Sequence, residues 1–259
     1  MEKRKRHECR MVQPVIGLAN MNLEEVNKII EQPYSTWPIK VLGFVPNERS
    51  LPAPHKVQPS LFHYARQGLS FLHLDYGRTD VVRNKAALGL LANPIFDYIL
   101  MLDADHFHDP DILQLLCRWP LLDPSIRVVG GLNFQRNEPF HPAFHEYDEQ
   151  GKKIISITWP DTLFPVDVCG TGSLLIHRSV FTDIDANCAW FRFEYDGADK
   201  DYWPGEDVYF ARLCKENGIQ QYVDPECRSP HLHEQLIGEE EFRRHFAEHG
   251  LGNQFGEIR

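Results

Sequence analysis

The sequence predicts one α/β domain with a mostly parallel central sheet, helices on both faces of that sheet and a smaller antiparallel portion. Segments of strand and helix character alternate through the first half of the chain, which is typical of parallel strands joined by crossover helices. The run Tyr98–Leu102 is almost entirely apolar, as expected of a central strand covered on both faces. The second half is less regular and favours some antiparallel pairing. In sheets of this class the ligand site lies at the carboxyl ends of the strands.

The elements of the first half follow from their hydrophobic patterns and flanking residues. Asn22 is a suitable N-cap for a first helix, and Asp80 is a candidate cap for a later one. Proline and asparagine mark where strands and helices stop. In chain order we predict a helix over Leu23–Glu31, a strand over Ile39–Pro46, a helix over Pro59–Gly68, a strand over Phe71–Tyr76 and a helix from Asp80 to Ala92.

The second half begins with the strand Tyr98–Leu102 and continues with mixed signals. Asp109 and Pro110 start a helix, and Pro120 opens the connection after it. We predict a helix to Trp119, a strand over Ile126–Phe134, a loop over 135–150, a strand or hairpin arm over Lys153–Trp159, a glycine-rich turn and β-rich run within Pro165–Phe181, a loop over 182–205, a helix over Glu206–Gly218, a strand over Ile219–Pro225, a loop over Ser229–Gly238 and a terminal helix over Glu239–Gly250.

The composition is that of a globular protein with an acidic balance. The chain has 259 residues, of which 42% are hydrophobic, and a formal net charge of −10. This charge argues against a protein that coats nucleic acid, because such a protein needs a basic surface. The segment Lys3–Arg10 is a local basic exception. We interpret it as a solvated tail; the alternative is an arm that touches nucleic acid or an anionic membrane.

The sequence carries no signal for export or for membrane insertion. No apolar run reaches the roughly 18 residues that a spanning helix requires, and the first residues lack the apolar segment of a secretory signal. The six cysteines are scattered, without a CxxC pair that would indicate zinc or redox chemistry. These features predict a reduced, cytoplasmic protein.

Two carboxylates follow the predicted central strand. Asp103 and Asp105 stand two residues apart, so both side chains leave the same face if the chain is still extended there. Two neighbouring carboxylates repel each other unless a cation neutralises them. Oxygen ligands of this kind suit Mg²⁺ or Mn²⁺, with diphosphate oxygens completing the coordination. The alternative is that Asp105 caps the turn and Asp103 is solvated.

Three later segments carry further candidate residues. Gly170–Ile176 places two glycines before a strand-like run, where a ligand can approach the backbone closely or where the chain simply turns. Gly205–Phe210 places two acids at a helix start, where they can cap the helix or present a general base to a hydroxyl group. Pro230–His233 supplies imidazoles that can join a metal site or remain solvated.

Together these segments resemble the GT-A fold glycosyltransferases, particularly the family 2-like enzymes and their small bacterial and phage members. The resemblance spans roughly Ile39 to His233 and depends on the order of several motifs. These are IKVLGFVP, VRNK, ILMLDAD, VVGGLNFQR, VDVCGTGSLLI, GEDVYF and PHLH. It implies a GT-A fold and a hexosyltransferase-type enzyme that takes a nucleoside-diphosphate sugar as donor, held by Mn²⁺ or Mg²⁺.

The resemblance also implies a set of metal ligands and a catalytic pair. Asp105 matches the direct metal ligand, and Asp103 matches the residue nearer the donor ribose and the metal. His231 matches the third protein ligand, with His233 as the alternative. In inverting members of the family the second acid of the Glu-Asp pair is the base, which is Asp207 here and follows Glu206.

A second group of residues is implied to contact the donor. Arg83 is expected near the base or phosphates of the nucleotide, where a guanidinium suits bidentate contact. Pro46 and Asn47 are expected in the nucleotide pocket, and Gly170 and Gly172 in the wall that meets the sugar and the acceptor.

The predicted domain organisation is an N-terminal extension over 1–36, a glycosyltransferase domain over 37–236 and a C-terminal helix over 237–259 that packs on the same domain. The family's processive QxxRW signature is absent, which argues against a processive synthase. The sequence leaves two rival functions open: a nucleotidyltransferase acting on a sugar phosphate, and a non-catalytic binding module on the same fold. The acceptor, whether a glycan, a protein, a lipid-linked sugar or a modified nucleobase, and the oligomeric state are also left open.

Overall fold

The computed structural model describes residues 21–46, 68–72, 77–194, 205–233, 235–249 and 257–258. Its main feature is a seven-stranded sheet, with strands numbered here in chain order. Side by side they are β2 (Ser70–Leu72), β1 (Val41–Phe44), β3 (Tyr98–Leu102), β9 (Ser173–His177), β4 (Val128–Leu132), β10 (Gln221–Arg228) and β7 (Phe164–Val166). Within this sheet β9 and β7 run against the other five strands.

A smaller sheet and a hairpin complete the strands. The smaller sheet contains β13 (Glu257–Ile258), β6 (Lys153–Ile155), β5 (Phe144–Tyr147) and β8 (Val168–Cys169), and β5 is antiparallel to both of its neighbours. The hairpin pairs β11 (His231–His233) with β12 (Gln235–Ile237). The predicted fold class, a mostly parallel central sheet with a smaller antiparallel portion, is therefore confirmed.

Helices cover both faces of the central sheet. They are α1 (Leu23–Ile30), a short 3₁₀ helix (Tyr34–Thr36), α2 (Thr79–Ala92), α3 (Ile112–Leu122), α4 (Arg178–Asp183), α5 (Glu206–Glu216) and α6 (Glu239–His249). Successive side chains of β3 point to opposite faces of the sheet and pack against different helices. Leu100 packs in the cluster that contains α1 and α3, whereas Met101 packs in the cluster that contains α2 and α5. Because all five residues of β3 are buried, its apolar sequence follows directly from its position.

The helix starts were predicted with mixed success. The prediction for α1 is confirmed, since Asn22 accepts a hydrogen bond from the N–H of Glu25, which returns one in a capping box. The prediction that Asp80 caps α2 is wrong, because the N-cap is Arg78 and Asp80 lies in the first turn. The Asp80 carboxylate instead pairs with the Arg78 guanidinium at 2.6 Å.

Three other predictions of local structure are wrong for reasons of tertiary packing. Helix α3 continues through Pro120, which is buried in its last turn. The expected loop over 135–150 contains β5, which is stabilised by pairing with two strands from elsewhere in the chain. The expected loop at 229–238 is largely the β11–β12 hairpin. The predicted helix over Pro59–Gly68 falls almost wholly outside the described residues, as do positions 73–76 of the predicted second strand.

The terminal helix α6 was predicted correctly and lies on the main body of the fold. Phe242 is 1% exposed and packs against Phe134 and Trp159, with ring centroids 5.6 Å and 6.4 Å away. Among the described residues, no helix combines the length and the apolar character needed to cross a membrane.

Candidate active site

A cleft of about 430 Å³ opens at the carboxyl ends of the parallel strands. Its walls come from the segments that follow β1, β3 and β4, from the turn before β9, from the start of α5 and from β11. Strand β9 is antiparallel to its neighbours, so its amino end, where the glycine-rich turn lies, reaches the same edge of the sheet. This is the edge at which α/β sheets place their ligands.

Backbone hydrogen bonds hold the segment after β3 in the cleft wall. The N–H of Asp103 donates to the carbonyl of Gly172 at 2.9 Å, and the N–H of Phe107 donates to the carbonyl of Pro230 at 2.8 Å. His108 adds a buried side-chain tie, with one ring nitrogen 2.9 Å from the Asp103 carbonyl and the other 3.0 Å from Ser229 Oγ. Burial lowers the pKa of His108 to about 3, so this tie is a neutral imidazole at physiological pH.

Asp105 lies at the centre of a group of polar side chains. Its Oδ1 is 3.4 Å from His106 Nδ1, and its Oδ2 is 3.5 Å from His231 Nε2. Arg136 also contacts Oδ2, at 2.9 Å. Burial alone would raise the pKa of Asp105, but the polar contacts with His106 and His231 outweigh it and hold that pKa well below its usual range. Asp105 is therefore a carboxylate at physiological pH.

The donor atoms of Asp105, His106 and His231 fit a divalent metal ion. They all lie within 4.8 Å of one another. His231 Nδ1 lies 2.6 Å from the carbonyl of Phe134, which can only accept a hydrogen bond, so Nε2, 3.5 Å from Asp105, is the nitrogen that faces the candidate metal position. His106 is 2% exposed, and neither of its ring nitrogens has a hydrogen-bond partner among the described residues. Such a buried, unsatisfied imidazole is costly unless a ligand meets it.

Gly172 allows the His106 ring to occupy this position. A Cβ atom at Gly172 would lie 2.8 Å from His106 Cε1 and 2.9 Å from its Nε2, closer than non-bonded contacts allow. The His106 ring also lies against the His231 ring, with centroids 3.8 Å apart. One carboxylate with two imidazoles is a ligand set that suits Mn²⁺ or another transition metal better than Mg²⁺, which prefers oxygen ligands.

Asp103 has a different set of partners. Its Oδ1 accepts a hydrogen bond of 2.5 Å from Arg83 Nη2, and Arg83 Nη1 contacts Glu206 Oε1. Arg83 is only 2% exposed, so α2 supplies a buried cation that joins the end of β3 to the start of α5. Asp103 does not belong to the group of metal-ligand candidates among the described residues. Its predicted role as a metal ligand stays a prediction, as does the contact of Arg83 with donor phosphates.

Asp207 faces the cleft from the first turn of α5. Its Oδ1 accepts a hydrogen bond from the N–H of Val208 at 2.8 Å. Burial raises the pKa of Asp207, and the Val208 hydrogen bond and the nearby Arg83 charge oppose this only in part. A raised pKa makes the carboxylate a better proton acceptor. Gly205 makes room for it, since a Cβ atom there would lie 2.5 Å from Asp207 Oδ1.

Those of the remaining predicted residues that the structure describes line the same cleft. Pro46, Gly170 and Gly172 line it. Asn47 lies outside the described residues, and the side chain of His233 does too. Glu206 also lines the cleft, but Arg83 occupies its Oε1.

Sequence reasoning missed two residues of the Asp105 group, namely His106 and Arg136. His106 directly follows Asp105 in the sequence. This adjacency was the one signal that it could be a third metal ligand. Its ring direction, however, depends on Gly172 and on the bridge between the backbones of His106 and His231. Arg136 ends the motif VVGGLNFQR, but no role was predicted for it, because it reaches Asp105 only after the segment following β4 has folded.

Asn133 lies in the same motif and is another cleft residue for which no role was predicted. It is 3% exposed, and its Oδ1 accepts a hydrogen bond from Ser173 Oγ at 3.1 Å. Its Nδ2 has no hydrogen-bond partner among the described residues, although the residue lines the cleft. It offers an unused donor to a ligand there.

Comparisons with known proteins show the fold. No protein-family model matches the chain, and no curated protein matches it significantly. Among solved structures, the chain is similar to A197 from STIV, with a TM-score of 0.54 and 18% identity over 78% of this chain and 92% of that one. A weaker likeness, with a TM-score of 0.46 and 12% identity, covers 81% of this chain and 47% of GalNAc-T7 in a structure with UDP, GalNAc and Mn²⁺. Likeness at these identities concerns the fold alone, an α/β arrangement with a mostly parallel central sheet and a smaller antiparallel portion.

Proposed function

We propose that this protein is a metal-dependent glycosyltransferase, which moves a sugar from a nucleoside-diphosphate sugar to an acceptor. The observation that carries the proposal is the meeting of Asp105, His106 and His231 in a cleft at the carboxyl ends of the strands, with ligand atoms within 4.8 Å. The ordered motifs that resemble GT-A glycosyltransferases support the donor class.

Asp105, His106 and His231 are the residues that would hold the metal ion. Of the two ions that the resemblance implies, the two imidazoles favour Mn²⁺ over Mg²⁺. The chemistry that the ion supplies when bound is an offset to the negative charge that grows on the leaving diphosphate. Arg136 contributes a further positive charge beside Asp105, and its exposed side chain can turn toward a diphosphate.

Asp207 is the candidate general base. Its pKa is raised by burial, and it lies in the same cleft as the proposed ligands, so it suits the removal of a proton from an acceptor hydroxyl group. Arg83 and Glu206 position it, because their ion pair fixes the start of α5 against the end of β3. This role holds for an enzyme that inverts the anomeric centre. NMR analysis of the product anomer tests it, and a retained anomer would remove Asp207 from the role of base.

Binding and turnover together test the proposed function. We expect Mn²⁺ with one of UDP-, GDP- or CMP-sugars to raise the melting temperature, since a ligand at about a hundred times its Kd stabilises the folded state by about 2.7 kcal/mol. Nucleoside diphosphate should be released from that donor in the presence of Mn²⁺ and not after chelation.

The same measurements separate the rival functions. Stabilisation by a nucleoside triphosphate alone would favour a nucleotidyltransferase that acts on a sugar phosphate. Stabilisation by a nucleotide sugar, without release of nucleoside diphosphate from it in the presence of any acceptor class, would favour a binding module.

A further inference from the structure

The smaller sheet presents a basic face to the cleft. Lys153 on β6 stands opposite Tyr147 on β5, and His145 comes two residues before Tyr147. Directly paired residues and residues two apart on a strand point to the same face of a sheet, so these three side chains share one face. Lys153 and His145 both line the cleft, as does Asp207.

No carboxylate of the described residues lies within ion-pair distance of Lys153. It is half-buried and makes no ion pair or hydrogen bond within the part of the chain that the structure describes. Burial lowers the pKa of Lys153, and the charge of Asp207 opposes this shift. Other cations near the cleft are paired, as Arg83 is with Asp103 and Arg136 with Asp105.

The histidines near Lys153 stay neutral, so they do not repel its charge. His145 is 5% exposed, and its Nε2 lies 3.2 Å from the hydroxyl of Tyr147. Burial, with the nearby Lys153, lowers the pKa of His145 well below its usual value. Burial and the charge of Lys153 also lower the pKa of His141, to about 4. The imidazoles therefore stay neutral and leave Lys153 as the cation of this face. A half-buried ammonium group without a direct ion pair is typical of a site whose counter-ion arrives with a ligand.

We propose that Lys153, flanked by His145, is an anion subsite that binds a carboxylate or phosphate group of the sugar substrate. This inference rests on the proposed glycosyl transfer and names its substrate class as an anionic sugar. The subsite adjoins Asp207, the candidate base, so the anion belongs to the acceptor or to the sugar of the donor. An ammonium group is suited to either anion, because it acts as a point charge with three donors.

Matched neutral and anionic ligands test the subsite. The donor pair is UDP-glucose and UDP-glucuronate with Mn²⁺. The acceptor pair is glucose and glucose 6-phosphate in the presence of UDP and Mn²⁺. We expect wild-type protein to bind the anionic member of at least one pair roughly tenfold more tightly, as measured by calorimetry. The pair that shows the difference identifies the source of the anion.

Variants of two adjacent lysines attribute the preference. Lys153→Met should abolish the tenfold difference, and Lys153→Arg should keep most of it. Lys152→Met is the matched control, because Lys152 is the exposed neighbour on the same strand edge and should leave the difference intact. If Lys153→Met does not fold, the wild-type comparison of the two pairs still decides the question.

The failure of this inference is distinct from failure of the proposed function. Equal binding of both members in both pairs, together with Mn²⁺-dependent binding of a UDP-sugar, would overturn the subsite and leave glycosyl transfer standing. If no nucleotide sugar binds but glucose 6-phosphate still binds in a Lys153-dependent manner, the subsite stands and the proposed function falls.

Discussion

Asp103 and Asp105 are two residues apart and begin from the same strand end, yet they lie in chemically different regions. Asp103 belongs to a closed network, in which the buried Arg83 joins it to Glu206. Asp105 belongs to an open group, in which two imidazoles and the exposed Arg136 surround the carboxylate with distances of 2.9 to 3.5 Å. The first region has its cation built into the fold, and the second gathers potential metal-ligand atoms beside an exposed arginine.

The difference shows how a strand can end in two carboxylates. Each acid has its own positive partner, so one shared cation is not required to keep them together. The closed network fixes the position of the cleft wall, while the open group is available for a ligand. Residue type and spacing were the same for both acids, and the surroundings alone separate them.

Removing each acid in turn gives the largest expected effect. Asp105→Ala should lower Mn²⁺-dependent turnover by about a thousand-fold, because the stabilisation of leaving-group charge is lost, while the melting temperature without metal stays close to that of wild type. Asp103→Asn should lower the melting temperature and leave Mn²⁺ affinity nearly unchanged, as measured by calorimetry. The reverse pattern, with Mn²⁺ affinity lost only in Asp103→Asn, would show that the two regions have been assigned the wrong way round.

The closed network should be important for stability. Arg83→Met leaves Asp103 and Glu206 without a cation, so we expect the free energy of unfolding to fall by about 3–5 kcal/mol. Urea denaturation without metal measures it. Arg136→Met is the control, because Arg136 is 53% exposed and an exposed pair contributes only about 0–1 kcal/mol. Equal losses in the two variants would contradict the contrast between a closed and an open region.

A single methyl group should disturb the open group without touching the closed one. Gly172→Ala forces the His106 ring to move, so Mn²⁺ affinity should fall by roughly ten- to a hundred-fold. Gly238→Ala is the matched control, since a Cβ there makes only ordinary contacts of 3.6 Å with Pro230. Unchanged Mn²⁺ binding in Gly172→Ala would exclude His106 as a ligand.

The free energy of unfolding at acidic pH should depend on three buried histidines. The pKa of His108 is lowered to about 3, and those of His141 and His177 to about 4, in each case chiefly by burial. Above the ordinary histidine pKa of 6.5 neither the folded nor the unfolded form protonates these rings, and stability has its full value. As the pH falls below that value, only the unfolded chain takes up protons.

The free energy of unfolding should therefore decrease between pH 6.5 and about 4, by up to about 1.4 kcal/mol per pH unit for each histidine. Urea denaturation at several pH values measures the slope. His177→Asn should reduce this slope by the contribution of one histidine. Asp105 contributes mainly below this range, because its pKa is the ordinary 3.8 in the unfolded chain and lower in the fold. Asp207, whose pKa burial raises, contributes a slope of the opposite sign. An unchanged slope in His177→Asn would mean that this ring is not buried as described.

The sequence made the position of the site predictable, and the reason is topological. An apolar run ending in polar residues marks the carboxyl end of a central strand, and such ends converge at one edge of a parallel sheet. Asp105 and His231 do lie 3.5 Å apart. The role of His106 was not predictable in this way, because its ring is aimed by Gly172 and by the bridge to the backbone of His231.

The same distinction applies to the fold. Strand β3 and helix α1 have local signals, namely an unbroken apolar run and a capping box. Strand β5 depends on pairing with β8 later in the chain, and the β11–β12 hairpin is local but very short, and the polar residues of both carry no clear strand pattern. Lys153 shows the same limit for the site. Only the folded cleft shows that no carboxylate of the described residues forms an ion pair with it.

The bridge between the backbones of His106 and His231 also has a consequence for how the molecule comes together. A cation coordinated there would tie the middle of the chain to a segment near its end, and so act as a reversible cross-link across a very long loop. Cross-links that close long loops restrict the denatured chain most strongly. Metal binding would then require that the β11–β12 hairpin has folded and docked, and chelation would release both joined segments at once.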